Sequence, residues 1–323
     1  MYNSWLIFVA GAVFLLAIEL IYFKIAARYD IIDKPNERSS HSSPIIRGGG
    51  ILFLFSVIGW FVTGSFSFPW FVTAVLIASV VSFTDDLGTV NFLIRMAVQC
   101  ASILLIFFQL DIYTYPVFLV IAALIVSVGT LNAFNFMDGI NGITGMYSLV
   151  TLATLYFVQT QIISFTHTDL LIWVSLALII FLVFNFRKNA RCFAGDVGSI
   201  SIALVIVFLI GQLIIKTNWP YWIFLLLVYG MDSVITIVFR LIRRENIFKP
   251  HRTHLYQYYS NELGYDHRAI SVMYGLVQFF FNVVLAYAFI QGNVRWVVCT
   301  VVAFTGLYVM ARFSVIRKVK AIK

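Results

Sequence analysis

Apolar residues run in long unbroken stretches along this chain, and the polar residues are gathered between them. Eleven stretches stand out, at roughly 5–23, 50–64, 69–84, 92–109, 116–136, 143–163, 169–186, 198–216, 220–239, 270–290 and 295–313. Most approach or reach the about 17–25 residues that span a bilayer as helix. Only helices and closed barrels satisfy their own backbone in lipid, and these runs have helical length. The pattern predicts an all-α, polytopic integral membrane protein with about eleven transmembrane helices. The longest polar stretch is about 30 residues, so residues 1–323 are expected to form a single transmembrane domain. The first run lacks a basic leader and a small-x-small cleavage site, and is read as a retained helix rather than a signal peptide.

Composition agrees with this reading: 61% of residues are hydrophobic, 17% aromatic and only 11% charged. The net charge of +8 could point to nucleic acid, but the placement of the basic residues gives a better account. Twenty of the 22 lysines and arginines fall in alternate loops, and only Lys216 and Arg295 fall on the other side. The positive-inside rule makes the basic side cytoplasmic, with the N-terminus outside and the C-terminus inside. Cys100, Cys192 and Cys299 form no CxxC pair and suggest neither a disulfide framework nor a zinc site.

The same topology sorts the polar chemistry. The outward loops, such as "SFSFP" and "QGNVR", are short and nearly featureless. The inner ones are "DKPNERSSHSSPIIRGGG" (33–50), "TDDLGTVNFLIR" (84–95), "NAFNFMDGINGI" (132–143), "FRKNARCFAGDVGS" (186–199) and "RRENIFKPHRTHLYQ" (243–257). Five discontinuous loops on one face can converge on one site. Asn132, Asn135 and Asp138 recur every three residues, so on a helix they share a face about 120° wide. Helix capping and interhelical amide bonds are the plainer reading of such residues. Adjacent Asp85 and Asp86 suit a divalent-cation site or a general base, or else an ordinary Asp-Asp turn. Arg95 opens the next span as a phosphate partner or an interfacial anchor. Asp196, between Gly195 and Gly198 at a helix start, suits a metal with its phosphates, or an N-cap. His251, Arg252 and His254 suit phosphate recognition; as metal ligands the histidines lack a third soft partner nearby. Asp232 lies inside the ninth span, where charge is costly and is either functional or paired.

Together these segments resemble the polyprenyl-phosphate N-acetylhexosamine-1-phosphate transferase superfamily, glycosyltransferase family 4. The first inner loop, from Asp33 through Gly50, is most similar to the branch that initiates O-antigen. The Asp pair, the N-x-x-N-x-x-D-G-I-x-G run, G-D-x-G-S and a histidine-containing loop follow in the family's order. The resemblance implies transfer of an N-acetylhexosamine (HexNAc) 1-phosphate from a UDP-sugar to undecaprenyl phosphate, releasing UMP. It puts Asp85, Asp86 and Asp138 at the catalytic centre, and Asn135 and Asp196 on Mg²⁺ with the pyrophosphate, Mn²⁺ being an acceptable substitute. It puts Arg95, Asn132, Asn141, His251, Arg252 and His254 on the substrates, with Asn141 in the slot that contacts uracil. Many relatives carry aspartate at that slot. The histidine loop also departs from the family's histidine-rich patterns, since Leu255 and Tyr256 follow His254.

The implied partners are undecaprenyl phosphate, a UDP-HexNAc or UDP-6-deoxy-HexNAc, and the bilayer of a bacterial inner membrane, with a homodimer compatible and no nucleic acid. An ion-coupled transporter using Asp232 and Glu19 would instead gather charge near the midplane, and a non-catalytic glycan-assembly protein would have no need of the carboxylates.

Overall fold

The computed structural model describes residues 4–33, 44–64, 66–246 and 251–322. Positions 34–43 of the first inner loop and 247–250 of the last lie outside the described residues, so Arg38, His41 and Lys249 are not placed.

The apolar runs all fold as helix. In chain order these are α1 (Ser4–Arg28), α2 (Ile51–Thr63), α3 (Pro69–Leu87), α4 (Phe92–Gln109), α5 (Val117–Met137), α6 (Ile143–Phe157) and α7 (Thr168–Asn185). Then follow α8 (Gly195–Thr217), α9 (Leu227–Ile242), the single turn α10 (Leu255–Gln257), α11 (His267–Ile290) and α12 (Arg295–Ile322). Nine helices among the described residues are long and apolar enough to cross a membrane, counting the 3₁₀ turn Pro220–Leu226 with α9. The other two apolar runs differ by length: α2 has 13 residues, and α6 has 15 before a π-helical turn, Val158–Ile162. The architecture is all-α and polytopic.

Local chemistry explains the helix starts. Pro69 opens α3, where its missing N–H costs nothing. Asn91 caps α4, its side chain accepting from the Leu93 N–H at 2.8 Å.

Helix α8 is the centre of the bundle. Some 78% of its most apolar window is buried inside the protein, against 17% for α12. It packs on α2, α3, α5 and α6, and small residues allow the approach. A side chain at Gly50 would overlap Gly198, and the Ser79 and Ser201 hydroxyls meet at 2.7 Å. Lipid offers no water to a broken helix, so the junction between the 3₁₀ turn and α9 needs an internal partner. Gln278 of α11 supplies it. Its Nε2 donates to the Phe224 carbonyl at 3.1 Å, and its Oε1 accepts from the Val228 N–H at 3.0 Å and from the Tyr147 hydroxyl at 2.9 Å.

The only sheet among the described residues is two residues deep. Strand β1 (Ile32–Asp33) pairs antiparallel with β2 (Ile45–Ile46), and Ile46 bridges to Cys192. Its effect is positional. The Phe193 N–H donates to Ile46, and the Gly49 and Gly50 N–H groups donate to Phe193 and Ala194. The first inner loop is thereby laid along the residues that lead into α8.

Candidate active site at the loop end of the bundle

Four helix ends and two loops meet at one end of the bundle. The C-terminal end of α3 brings Asp85 and Asp86, the start of α4 brings Arg95, and the end of α5 brings Asn132 and Asn135. Asp196 stands in the first turn of α8, Arg47 precedes the glycines laid along it, and the segment before α10 carries His251, Arg252 and His254.

Two arginines bridge the three carboxylates. Arg95 Nη1 lies 2.5 Å from Asp85 Oδ2 and 3.4 Å from Asp196 Oδ2. Arg47 Nε lies 2.8 Å from Asp86 Oδ1, and its Nη2 lies 3.6 Å from Asp196 Oδ1. Asp196 thus sits between both cations. Asp85 also accepts from the Val90 N–H at 2.7 Å. Asp86 is fully engaged: its two oxygens take the Asp196 and Val197 N–H groups at 2.9 and 3.0 Å. It caps α8 from a neighbouring helix, satisfying orphan donors and meeting the positive end of the dipole. The fit depends on Gly195, whose φ of +72° favours glycine and whose added Cβ would strike the Asp86 carboxylate.

A cavity of about 520 Å³ opens beside this cluster, lined among others by Arg95, Asn132, Asn135, Asp196, His251 and His254. Its size falls in the usual range for small-molecule sites. Asn132 is steadied there by donating to Gln99 Oε1 and the Val128 carbonyl, each at 2.9 Å. His251 Nδ1 is 3.0 Å from the Thr253 hydroxyl. Burial, with His254 and Arg240 nearby, pushes the His251 imidazole down to about 4, so it is neutral at pH 7. His254 is buried and paired through Nδ1 with Asp232 Oδ1 at 3.1 Å. Arg252 is half-buried between the two histidines in sequence.

Of the residues expected at the site, Asp85, Asp86, Arg252, Asp138 and Asn141 stand outside that lining. Asp138, just beyond α5, is half-buried, and burial pushes its carboxyl up to about 7. Asn141 is buried; its amide donates to the Arg187 and Lys188 carbonyls at 2.8 and 3.2 Å, and its own carbonyl accepts from the Ser271 hydroxyl. The next residue, Gly142, has φ +87° and gives its N–H to Asn185 Oδ1 at 2.7 Å. Here the Asn-Gly pair ties the third inner loop to the fourth.

Among the described residues no three His, Cys, Asp or Glu side chains form a metal cage. Asp196 and Asn135, both on the cavity wall, offer hard oxygen donors. That donor set fits Mg²⁺, which is commonly held by one or two protein oxygens together with substrate phosphates and water.

Arg47 was not singled out from the sequence as a site residue. The signal was its position immediately before Gly48-Gly49-Gly50, where a backbone free of side chains can lie against another element and carry the guanidinium in.

Residues 68–214 match the family model described as glycosyl transferase family 4. No curated protein sequence gives a match to this chain. The matched region runs from the start of α3 nearly to the end of α8. It includes Asp85, Asp86, Arg95, Asn132, Asn135 and Asp196, and leaves Arg47 and the histidine loop outside. Over that region the chain is similar to glycosyl transferase family 4, and the match, on a chain of membrane-length helices, supports a membrane sugar-phosphate transferase.

Proposed function

We propose that the protein transfers a HexNAc-1-phosphate from a UDP-sugar to undecaprenyl phosphate at the cytoplasmic face of a bacterial inner membrane. UMP is released, and the product is the first lipid-linked sugar of a surface polysaccharide of the O-antigen type. The observation that carries this reading is the pairing of Asp85, Asp86 and Asp196 with Arg47 and Arg95, of which Arg95 and Asp196 line the cavity. Three carboxylates and two guanidiniums, held at helix ends between lipid and water, suit a reaction joining a lipid phosphate to a soluble pyrophosphate.

A second cavity of about 560 Å³ supports the lipid half of the reading. It is almost wholly apolar and lies farther along α4, α5 and α8, between residues such as Phe107, Leu119, Val126, Ile210 and Ile214. A polyprenyl chain suits such a lining.

In the reaction, an oxygen of the lipid phosphate attacks the β-phosphorus of the donor. The bond from that phosphorus to the bridging oxygen breaks, and UMP leaves with the electron pair. Asp85, the less enclosed of the adjacent pair, positions the lipid phosphate, taking its proton where one remains. Asp86 keeps Arg47 and the start of α8 in place, so its share in catalysis is exerted through them. Arg47, Arg95 and Arg252 face the phosphates and stabilise charge that develops on them. Asn132 borders the donor pocket. Asp196 and Asn135 would hold Mg²⁺, or Mn²⁺ in its place, whose charge neutralises the pyrophosphate and the departing UMP. One phosphoanhydride replaces another, so the equilibrium lies near unity.

The test is UMP release by purified protein given undecaprenyl phosphate, Mg²⁺ and a panel of UDP-HexNAc and UDP-6-deoxy-HexNAc donors, with and without EDTA. Lipid-dependent, EDTA-sensitive UMP from one donor is expected. No UMP from any donor, with folded protein and an active control enzyme, would count against the reading.

A further inference from the structure

Asp232 is a fully enclosed carboxylate of the loop end, and every contact described for it is with a donor. Its side chain is fully buried in α9. Oδ1 accepts from the Leu255 N–H at 3.0 Å and faces His254 Nδ1 at 3.1 Å; Oδ2 accepts from the Tyr274 hydroxyl at 2.6 Å. A third element backs it. Arg312 of α12, itself 2% exposed, donates to the Thr236 hydroxyl at 2.9 Å and to the Thr253 carbonyl at 2.8 Å. Thr236 in turn lies 3.4 Å from Asp232 Oδ1. Three helices therefore fix one carboxylate beneath the histidine loop. That is a large commitment of buried polar groups, and burial without partners would be costly.

The imidazole above it is incomplete. With the Nδ1 edge of His254 turned to Asp232, the Nε2 edge remains, and Nε2 is buried with no hydrogen-bond partner among the described residues. His254 is among the residues that line the cavity. An acceptor carboxylate at Nδ1 dictates that Nδ1 carries a proton, and in the neutral ring the Nε2 lone pair is then free. A lone pair repels phosphate oxygens and attracts O–H or N–H groups. We propose that Asp232 is a positioning residue, which locks His254 in the Nδ1–H tautomer so that Nε2 accepts a hydrogen bond from a hydroxyl or acetamido N–H of the donor's sugar. This assignment rests on the function proposed above. It also separates His254 from the arginines, which take the phosphates, and makes the histidine loop a reader of the sugar.

Two measurements test it. The first needs no turnover: nitrogen NMR of the full-length protein, labelled with ¹⁵N-histidine in lipid nanodiscs. The chain has five histidines, and the His254 signals are assigned by their loss in His254→Gln. A neutral Nδ1–H ring at pH 7.5 is expected. A neutral Nε2–H ring, or an imidazolium, would overturn the proposal, since either would donate to the cavity.

The second measurement is the Asp232→Asn variant. Its amide can donate to Nδ1 and drive the proton to Nε2, as the equivalent change does in serine-protease triads. The expected result is the Nε2–H tautomer with a rise of about tenfold in KM for the UDP-sugar and an unchanged KM for the lipid. Equal rises for both substrates would mark a merely structural role and overturn the assignment. So would a donor KM that stays the same or falls once the tautomer has switched. If the wild-type protein releases no UMP, the proposed function fails, while the tautomer measurement still judges the Asp232–His254 pair.

Discussion

The loop end of this protein holds two groups of buried carboxylates, and they are built in opposite ways. Around Asp196 the partners are arginines whose side chains keep 36–37% of their surface exposed. Around Asp232 the histidine is 3% exposed and the carboxylate not at all. In the first group the guanidiniums are partly exposed, and under the proposed function they would turn from a carboxylate to an incoming phosphate. In the second nothing can turn: a hydroxyl, a backbone N–H and a ring nitrogen hold one geometry. A phosphate-transfer site needs both kinds, charge that redistributes as the pyrophosphate arrives and a fixed edge that reads a neutral group.

The largest effect should come from the arginine-bridged group. Asp196→Asn removes the carboxylate shared by both arginines, and turnover should fall about a thousandfold in UMP-release assays, with the protein still eluting as wild type. Activity within a few-fold of wild type would remove Asp196 from the centre of the account. Arg47→Lys and Arg95→Lys come next, since lysine keeps the charge but loses the guanidinium, whose Nε and Nη2 at position 47 span Asp86 and Asp196 and whose Nη1 at position 95 lies between Asp85 and Asp196. Each should cost about 10–100-fold. Because both serve Asp196, the double variant should cost less than the product of the two, a coupling that a double-mutant cycle reads directly.

A smaller, graded effect is expected with pH. Asp138 has its carboxyl raised to about 7 by burial, so it is protonated well below that pH and ionised above it. If its carboxylate takes part in catalysis, turnover climbs as pH rises through about 7, and Asp138→Asn flattens that limb. A limb unchanged in the variant would assign the inflection to another group. The smallest effect should be that of Asn141→Ala. This change strands two carbonyls of the fourth inner loop and should lower stability by about 1–3 kcal/mol in thermal unfolding. A raised donor KM at full stability would instead give Asn141 a direct contact with the base.

Much of this was legible in the sequence because lipid leaves a chain few choices. Apolar runs such as 69–84 and 198–216 had to be helices, and α3 and α8 are where those runs lie. Helix-end carboxylates were legible too: Asp85, Asp86 and Asp196 stand out against apolar neighbours, and the structure brings them together. Pairing across the bundle was not legible. Arg47 and Asp86 are far apart in sequence, and contacts between segments, among them the strip of hydrogen bonds from Ile46 to Ala194, bring one to the other. Asp232 could be read equally as functional or paired until His254 was seen over it. Asn141, expected on the substrate by resemblance, is placed against Arg187 and Lys188, because a left-handed turn at Gly142 directs the chain toward the fourth loop. Spacing within one segment shows which residues share a face, but not which other segment that face meets.

The central claim is that a sugar moves together with a phosphate. The most direct test supplies UDP-HexNAc labelled with ³²P at the β-phosphate, undecaprenyl phosphate in detergent and Mg²⁺, and follows the label into the organic phase. The account predicts lipid-dependent transfer of the label, with unlabelled UMP as the soluble product. Label remaining in released UDP would show that the sugar moves without its phosphate, and would contradict it.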